Sequence, residues 1–220
     1  MLLIIENVLE LSKLQAVQQT LSDSNLFEDG KVTAGRAAIN VKSNLQASPR
    51  HLEVKGALSL IETALREHTV FRAAAHPLEF AKIMFNRYEG GMEYGSHVDN
   101  AFINDTRTDL SFTLFLSDPD TYDGGELVLQ SHSGDEPIKL PAGSLVVYPS
   151  TSLHYVAKVQ SGIRLAAVGW VKSRVRLAEH REILFDLQHS LANLARTEEN
   201  QVARLSLLKA QNNLLRLWSD

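Results

Sequence analysis

The strongest constraint on the fold is a long stretch in which short apolar runs alternate with turn residues. It extends from Phe80 to Val171, and clusters of Gly, Pro, Asn and Asp separate its runs. About eight short strands bounded by such residues are typical of antiparallel sheets. The pattern therefore predicts an antiparallel sandwich or barrel, and a jelly roll fits the number of strands.

Helical patterns flank this stretch on both sides. A short buried strand is predicted from Leu2 to Ile5, and apolar residues recur at helical spacing from Glu10 to Leu21 and from Leu52 to Glu67. After about Arg176 the pattern becomes helical again, first up to Leu194 and then from Asn200 to Trp218. The predicted fold class is therefore mainly β with flanking helices.

The last of these helices, Asn200 to Trp218, carries more leucine than one helix usually needs. For the helix before it, covering the outer face of a sheet is the preferred interpretation. For Asn200 to Trp218, a contact with another copy of the chain is an equal alternative. A homo-oligomer through the C-terminal helices is therefore one prediction.

Composition limits the expected partners and location. The chain has 22 Lys and Arg against 26 Asp and Glu, a formal net charge of −4, so no nucleic-acid partner is expected. It has no cysteine, which leaves no disulfide and no thiolate metal site. The opening MLLIIENVLE lacks a basic segment and is interpreted as a strand rather than a signal peptide, and no apolar run is long enough for a membrane helix. We expect a cytoplasmic protein with no membrane partner.

His97 and Asp99 are the first candidate metal ligands. They stand two residues apart in the strand-like FNRYEGGMEYGSHVDN, so their side chains point to the same face. A third candidate is His154, which follows an apolar run and a turn in SLVVYPSTSLHYV. Two histidines and one carboxylate form the facial triad that suits non-haem Fe(II) and leaves coordination positions open. By itself, a His-x-Asp pair is more often a hydrogen-bonded pair than a metal site.

Arg164, ten residues after His154, strengthens the metal interpretation. It lies in the apolar strand IRLAAVGW, after a predicted turn at Ser161 and Gly162 that brings the chain back into the barrel. A guanidinium in an apolar strand is costly to desolvate unless an anion meets it. The natural partner is a carboxylate, which the planar guanidinium can bind through two hydrogen bonds.

The order of His-x-Asp, distal His and Arg is similar to that of the Fe(II)- and 2-oxoglutarate-dependent dioxygenases. Four longer segments resemble the bacterial PKHD-type hydroxylases, relatives of the prolyl and lysyl hydroxylases: FNRYEGGMEYGSHVDNA, RTDLSFTLFLSDPDTYDGGELVL, IKLPAGSLVVYPSTSLH and ILFDLQHSL. The resemblance extends from about Met1 to about Leu194. It implies a double-stranded β-helix (jelly-roll) core over 79–174, with an N-terminal strand and helices over 1–78 packing on it and a C-terminal helical extension over 175–220.

The resemblance also implies a reaction. His97, Asp99 and His154 would hold Fe(II), and 2-oxoglutarate and O2 would take its open positions. Arg164 would pair with the far carboxylate of 2-oxoglutarate. Oxidative decarboxylation to succinate and CO2 would then be coupled to hydroxylation of a C–H bond, with ascorbate as a candidate reductant. The substrate stays open between a peptidyl proline or lysine and a small molecule such as a siderophore.

Several further residues are expected near the site. Tyr88 stands where related hydroxylases place a tyrosine that hydrogen-bonds the co-substrate, and a core aromatic is the equal alternative. Tyr94 is expected at the entrance or in the core. Where many prolyl hydroxylases have a tyrosine in the next strand, this chain has Leu114 or Phe115. The sequence GGEL at 124–127 resembles the family's Gly-Gly-x-Leu element, where a strand starts close to the barrel.

Two loops are candidate parts of the substrate path. The loop from Asn100 to Thr108 directly follows the first two ligands and is a candidate lid, and Asn100 itself could orient Asp99 or contact substrate. The stretch from Lys31 to Gln46 could line an entrance, although an irregular loop on the barrel edge is the preferred interpretation.

Other polar residues receive structural interpretations. Asp118, Asp120 and Asp123 lack the spacing of an EF-hand and are interpreted as a solvated turn rather than a calcium site. The remaining histidines lack ligand-like spacing and are treated as ordinary: His51, His68, His76, His132, His180 and His189.

Two other functions are alternatives to a hydroxylase. A cupin-like metal protein with non-redox chemistry would usually bring more histidines to the metal and has no need of Arg164. A non-catalytic binding module would be favoured if a ligand were missing, but all three ligands and Arg164 are present. The favoured prediction is an Fe(II)- and 2-oxoglutarate-dependent hydroxylase.

Overall fold

A computed structural model describes residues 1–33 and 41–220 of the chain. Its α-helices are α1 (Leu11–Leu21), α2 (Leu52–Glu67), α3 (Thr69–Ala75), α4 (Ala178–Asn193) and α5 (Gln201–Trp218). Four of them confirm helices that the sequence predicts, and α2 has the predicted bounds. The fifth, α3, is only seven residues long, too short for its apolar spacing to stand out in the sequence.

The strands make up most of the remaining structure. In chain order they are β1 (Leu3–Ile5), β2 (Phe27–Asp29), β3 (Lys42–Ser43), β4 (Leu45–Ala47), β5 (Pro77–Tyr88), β6 (Glu93–His97), β7 (Phe102–Ile103), β8 (Thr106–Arg107), β9 (Leu110–Phe115), β10 (Tyr122–Gly124), β11 (Leu127–Ser131), β12 (Gly134–Ile138), β13 (Leu145–Pro149), β14 (Leu153–Val156), β15 (Val159–Gly162) and β16 (Arg164–Ser173).

Two antiparallel sheets form the body of the fold. Within the described residues, the larger sheet has seven strands in the order β1-β13-β9-β16-β5-β4-β2, and the smaller has five in the order β12-β11-β14-β6-β3. Two further pairs, β10 with β15 and β7 with β8, stand outside these sheets. The mainly β fold class with flanking helices is confirmed.

Helices cover one face of the seven-stranded sheet. Apolar residues of α1, α2 and α3 form one buried cluster with residues of β5, β9, β13 and β16. Phe71 of α3, Phe80 of β5 and Phe112 of β9 meet there, with ring centroids 6.1 to 6.2 Å apart. Because side chains alternate along a strand, this packing turns the residues between them toward the other sheet.

The N-terminal region contributes strands to both sheets. β1 pairs with β13, β4 pairs with β5, and β3 pairs with β6. The stretch from Lys31 to Gln46, a predicted entrance or edge loop, therefore ends in two short strands. Residues 34–40 of that stretch lie outside the described residues. The division of the chain into 1–78, 79–174 and 175–220 stays a prediction.

Two strand predictions are wrong in detail. Ile138 to Leu140 is one of the short apolar runs of the Phe80–Val171 stretch, and the pattern predicts a strand over it, but β12 lies over the more polar Gly134–Ile138. Ser161 and Gly162 suggested a turn, but they belong to β15, which pairs with β10. β12 is an edge strand with four exposed residues, so it needs no apolar alternation and tolerates Pro137.

The C-terminal helices pack beside the sheets and then return to them. α4 contacts α3 and α5. After α5, Ser219 forms a bridge with Val175, and the Asp220 carboxylate lies 2.9 Å from Arg107 Nη2. Arg107 of β8 also donates to Asp109, so the end of the chain is tied to β8 and to the residue that precedes β9. Within the described ranges, no helix is long and apolar enough to cross a membrane.

The GGEL turn packs tightly against the segment from Lys158 to Arg164, which follows β14. Gly124 and Gly125 have positive φ angles of 70° and 68°. A Cβ on Gly124 would lie 2.1 Å from the carbonyl oxygen of Lys158, and one on Gly125 would lie 3.0 Å from Cδ of Arg164. Both glycines therefore allow this turn to approach the strands around Arg164.

Replacing Gly124 by alanine should destabilise the protein more than the same change at Gly91. Gly91 also has a positive φ, 90°, but a Cβ there meets nothing within 4 Å. Gly91→Ala should lower the free energy of unfolding by about 1–2 kcal/mol through backbone strain alone. Gly124→Ala should cost a further ~1–3 kcal/mol through its clash. Urea unfolding measures both, and equal losses would contradict the close approach.

Candidate active site

A cavity of about 720 Å³ lies between the two sheets. From the larger sheet it is lined by alternate residues in the second half of β5, namely Lys82, Met84, Asn86 and Tyr88. Arg164, Val168 and Trp170 of β16 line it as well. From the smaller sheet it is lined by Tyr94, His97 and His154, among others. All five residues that the sequence singles out for the site, His97, Asp99, His154, Arg164 and Tyr88, line this cavity.

His97, Asp99 and His154 meet on the cavity wall. β14 pairs with β6 so that His154 lies directly opposite His97, and Asp99 follows β6 by two residues. One donor atom from each side chain lies within 4.8 Å of the other two. In the described part of the chain, this is the single group of three or more such residues that could hold a metal ion.

Backbone carbonyls orient both imidazoles. Nδ1 of His97 lies 2.9 Å from the oxygen of Gly95, and Nδ1 of His154 lies 3.0 Å from the oxygen of Ser152. Since a carbonyl only accepts, each Nδ1 donates in this contact, which leaves Nε2 as the nitrogen available to a metal. A metal-binding histidine commonly has this second contact, which fixes the tautomer and the direction of the ring.

The Asp99 carboxylate is held by a hydroxyl. Ser111 Oγ donates to Asp99 Oδ2 at 2.6 Å, and Ser111 is itself 2.8 Å from Ser150 Oγ. His154 Nε2 lies 3.9 Å from the same carboxylate oxygen. The three candidate ligands are therefore fixed by contacts outside the triad.

Burial keeps His97 neutral at physiological pH. Its pKa is lowered from 6.5 to about 4, first by burial and then by the nearby His154. Tyr94 stacks on the His97 ring, with centroids 3.7 Å apart. A neutral imidazole is the form that binds a metal, so no proton has to be displaced from His97 at neutral pH. Tyr94, expected at the entrance or in the core, lies on the cavity wall.

Arg164 is the largest fully buried side chain of the described residues, with 1% of its surface exposed. Its Nε and Nη2 have no hydrogen-bond partner there. Aromatic rings surround the guanidinium, since its Cζ lies 5.4 Å from the centroids of both Tyr88 and Phe115. A buried cation without an anion is unfavourable, and a carboxylate entering the cavity would satisfy it.

Tyr88 and Phe115 complete the surroundings of Arg164. Tyr88 lies directly across from Arg164 in the β5–β16 pair and is 1% exposed. Burial raises the pKa of the Tyr88 hydroxyl, and the charge of Arg164 opposes that shift. Of the two residues considered for the missing tyrosine, Phe115 faces Arg164, whereas Leu114 packs under the helices.

The predicted lid is a β-hairpin at the cavity mouth. β7 and β8 pair with each other, and Asn104 and Asp105 form its turn with positive φ angles of 48° and 62°. Phe102, Ile103 and Asn104 line the cavity, as does Asn100. Thr106 Oγ1 donates to Glu79 of β5 at 3.0 Å and ties the hairpin to the larger sheet. The movement of a lid stays a prediction.

Four of the residues treated as ordinary have structural contacts. Asp118 accepts from the backbone N–H of Ala142, and Asp123 accepts from that of Gly124. Nδ1 of His68 accepts from Phe71 at the start of α3. His180 stacks on Trp218 with centroids 3.9 Å apart.

Sequence reasoning missed several residues of the cavity wall. Ser111 in LSFTLF could have been found, because its polar side chain alternates with apolar ones that face the helices. Lys82 in FAKIMFNRY could also have been found by the reasoning applied to Arg164, a cation inside an apolar strand. Lys42 and Trp170 carry no comparable signal.

The comparisons with known proteins agree with this geometry. A family model of the 2OG-Fe(II) oxygenase superfamily matches residues 83–172, which span β5 to β16 and contain the whole triad. A Pseudomonas putida prolyl-4-hydroxylase structure has a similar fold, with a TM-score of 0.55 and 20% identity over 79% of this chain and 92% of that one. A Trichoplax adhaerens prolyl hydroxylase has a TM-score of 0.57 and 19% identity over 83% of this chain and 86% of its own. The fold is thus the jelly roll of the 2-oxoglutarate oxygenases.

Full-length relatives narrow the class to a family. A PKHD-type hydroxylase of Parvibaculum lavamentivorans is 46% identical over 98% of both chains, and one of Synechococcus elongatus is 43% identical over 100% of both. The chain belongs to the PKHD-type hydroxylases. It is accordingly a 2-oxoglutarate-dependent dioxygenase, with Fe(II), 2-oxoglutarate and O2 as its cofactor and co-substrates.

Proposed function

We propose that His97, Asp99 and His154 bind Fe(II), that Arg164 and Tyr88 hold the far end of 2-oxoglutarate, and that the enzyme hydroxylates a C–H bond while releasing succinate and CO2. The observation that carries this proposal is Arg164. It is fully buried, two of its nitrogens lack partners among the described residues, and it faces the same cavity as the triad. A diacid that reaches from a metal to this guanidinium is the co-substrate that the family uses.

The iron, when bound with its co-substrates, supplies the oxidative chemistry. The protein's own task is positioning. Ser111 holds Asp99, and the carbonyls of Gly95 and Ser152 direct both Nε2 atoms toward one point. Arg164 fixes the direction of the diacid, and the aromatic walls of Tyr88 and Phe115 keep water from its carboxylate. Ascorbate is proposed as the reductant that maintains Fe(II).

The substrate is proposed as either a peptidyl proline or lysine or a small molecule such as a siderophore. The Trichoplax enzyme was solved with a peptide fragment of a hypoxia inducible factor, which favours a peptide for fold relatives. The cytoplasmic location and the lack of a nucleic-acid partner stay predictions. A cupin-like metal protein is less well supported, since non-redox chemistry gives no role to a buried arginine in the cavity.

Removing a ligand should abolish iron retention. His97→Ala and Asp99→Ala should each leave too few donors to keep Fe(II) through anaerobic desalting, because the remaining pair no longer forms a facial triad. The metal content of the desalted protein is the measurement. His132→Ala, on an exposed turn, is the matched control and should retain iron. Iron content equal to that of the wild type in both ligand variants would remove the assignment.

Removing the guanidinium should weaken 2-oxoglutarate binding and spare iron. Anaerobic titration of the Fe(II)-loaded protein should produce the visible charge-transfer band of keto-acid chelation. Arg164→Ala should raise the concentration required by about 30- to 5,000-fold, as expected for a desolvated charge pair worth roughly 2–5 kcal/mol. Tyr88→Phe should have a smaller effect, since it removes only one hydroxyl.

A second buried arginine provides the control for that titration. Arg181 is 4% exposed and donates to the carbonyls of Val175 and Arg176 outside the cavity. Arg181→Met should therefore lower stability without changing the band. An unchanged 2-oxoglutarate requirement in Arg164→Ala would contradict the assignment of that arginine.

We also propose that α5 packs against a second copy of the chain. Val202, Leu205 and Leu208 follow one another at helical spacing and expose 76%, 59% and 40% of their surfaces. An exposed apolar stripe of this kind commonly marks an interface.

Light scattering during size exclusion tests the α5 contact. The wild type should elute with the mass of at least a dimer, and Leu205→Glu should shift it to the monomer because the charge would be desolvated in the interface. Ser206→Glu, exposed on the same helix, should leave the mass unchanged. A monomeric wild type would overturn the proposal.

A further inference from the structure

A cross-strand row of side chains runs along the inner face of the larger sheet at the level of the triad. Lys82 of β5 lies opposite Trp170 of β16, Trp170 lies opposite Ser111 of β9, and Ser111 donates to Asp99. We call these residues the Lys82 row. Arg164 lies six residues before Trp170 on the same strand, about 20 Å away along the chain direction. The Lys82 row and Arg164 therefore serve different parts of the cavity.

Two donors of the Lys82 row have no acceptor in the described part of the chain. Trp170 Nε1 is buried and makes no hydrogen bond there. Lys82 makes no ion pair or hydrogen bond with the described residues, and burial lowers the pKa of its ammonium. Because desolvating such donors is unfavourable, their placement side by side on a cavity wall favours a ligand with acceptor oxygens.

The charge balance of the cavity wall also favours a ligand with acidic oxygens. Among the described residues its charged side chains are Lys42, Lys82 and Arg164 against Asp99, although the whole chain has a net charge of −4. Fe(II) and the 2-oxoglutarate dianion would cancel each other, and Arg164 would cancel Asp99. The charge of Lys82 then remains for a third molecule, and a cleft with an excess of one sign of charge concentrates ligands of the other sign.

Lys42 adds to this positive field from the smaller sheet. Its pKa is lowered to about 8, first by burial and then by the charge of Lys82, while Asp29 opposes the shift. Lys82 and Lys42 are thus close enough to affect each other's charge. At pH 7 a group with this pKa is still mostly protonated.

The cavity mouth next to this row is apolar. Val98, Phe102 and Leu153 line it and expose 53%, 62% and 51% of their surfaces. A ligand that contacts both the Lys82 row and this apolar mouth would combine an acidic group with an apolar body.

We propose that the primary substrate carries an acidic group, a carboxylate or a phosphate, which binds Lys82 and the indole N–H of Trp170 while its apolar body contacts the cavity mouth. The inference rests on the proposed function in identifying the bound molecule as the substrate. It deepens that function by naming the substrate class.

Calorimetric titration with matched probes tests this site. The protein is loaded anaerobically with Fe(II) and saturating 2-oxoglutarate, so that Arg164 is occupied, and benzoate is compared with benzamide, which has the same shape without the charge. Benzoate should bind saturably and benzamide should not. Phenyl phosphate, titrated in parallel, distinguishes the two acids, because the tighter ligand identifies the group that the site prefers.

Substitutions of Lys82 test whether this side chain binds the acidic group of benzoate. Lys82→Met should weaken benzoate binding by about tenfold or more, the loss expected for a charged hydrogen bond. Lys82→Arg should restore most of it, which excludes misfolding as the cause. Lys172→Met, a lysine on the same strand as Trp170 that does not line the cavity, should bind benzoate as the wild type does. Equal binding of benzamide, or unchanged benzoate affinity in Lys82→Met, would overturn the proposal.

The same titration without iron or 2-oxoglutarate separates this inference from the proposed function. Benzoate binding that is lost in Lys82→Met but kept in Arg164→Met supports the acidic-group site even if no charge-transfer band forms with iron. Binding that is lost only in Arg164→Met overturns it, even if the band forms as expected.

Discussion

The pairing of β6 with β14 is the contact on which the site depends. It places His97 opposite His154, and the position of Asp99 two residues after His97 then brings the carboxylate to the same point. A shift of this register by one residue would turn one imidazole to the opposite face of the sheet. β14 is held on its other edge by β11, where Leu129 lies opposite His154, so the register is fixed from both sides.

The larger sheet carries the buried polar and charged side chains of the site. Its outer face is covered by three helices, which leaves the inner face free to carry polar groups that line the cavity. Ser111 and Arg164 both project from this inner face, on strands whose alternate residues pack under the helices. Apolar packing under the helices thus stabilises strands whose other face buries polar and charged side chains at a cost in free energy. The same sheet therefore provides both the stability of the fold and the polar groups of the site.

Much of this arrangement could be predicted from the sequence, because the determining signals are local. The helix over 52–67 has a clear apolar period, and Arg164 stands out as a cation in an apolar strand. The apolar pattern did not predict strands correctly where few of their side chains are buried. One case is β12, an exposed edge strand, and the other is the pair β10 and β15, which lies outside the main sheets. The contact between Ser111 and Asp99 depends on how two sheets face each other, which no single segment encodes.

The hairpin of β7 and β8 is paired separately from the two main sheets. In the described part of the chain its strands pair only with each other, and its turn is closed by two residues with positive φ angles. An insertion or deletion at that turn would therefore leave the register of both main sheets unaltered. A change in the length of this hairpin would alter the cavity mouth at Phe102 and Ile103 without displacing His97, His154 or Arg164, which lie on strands of the two main sheets.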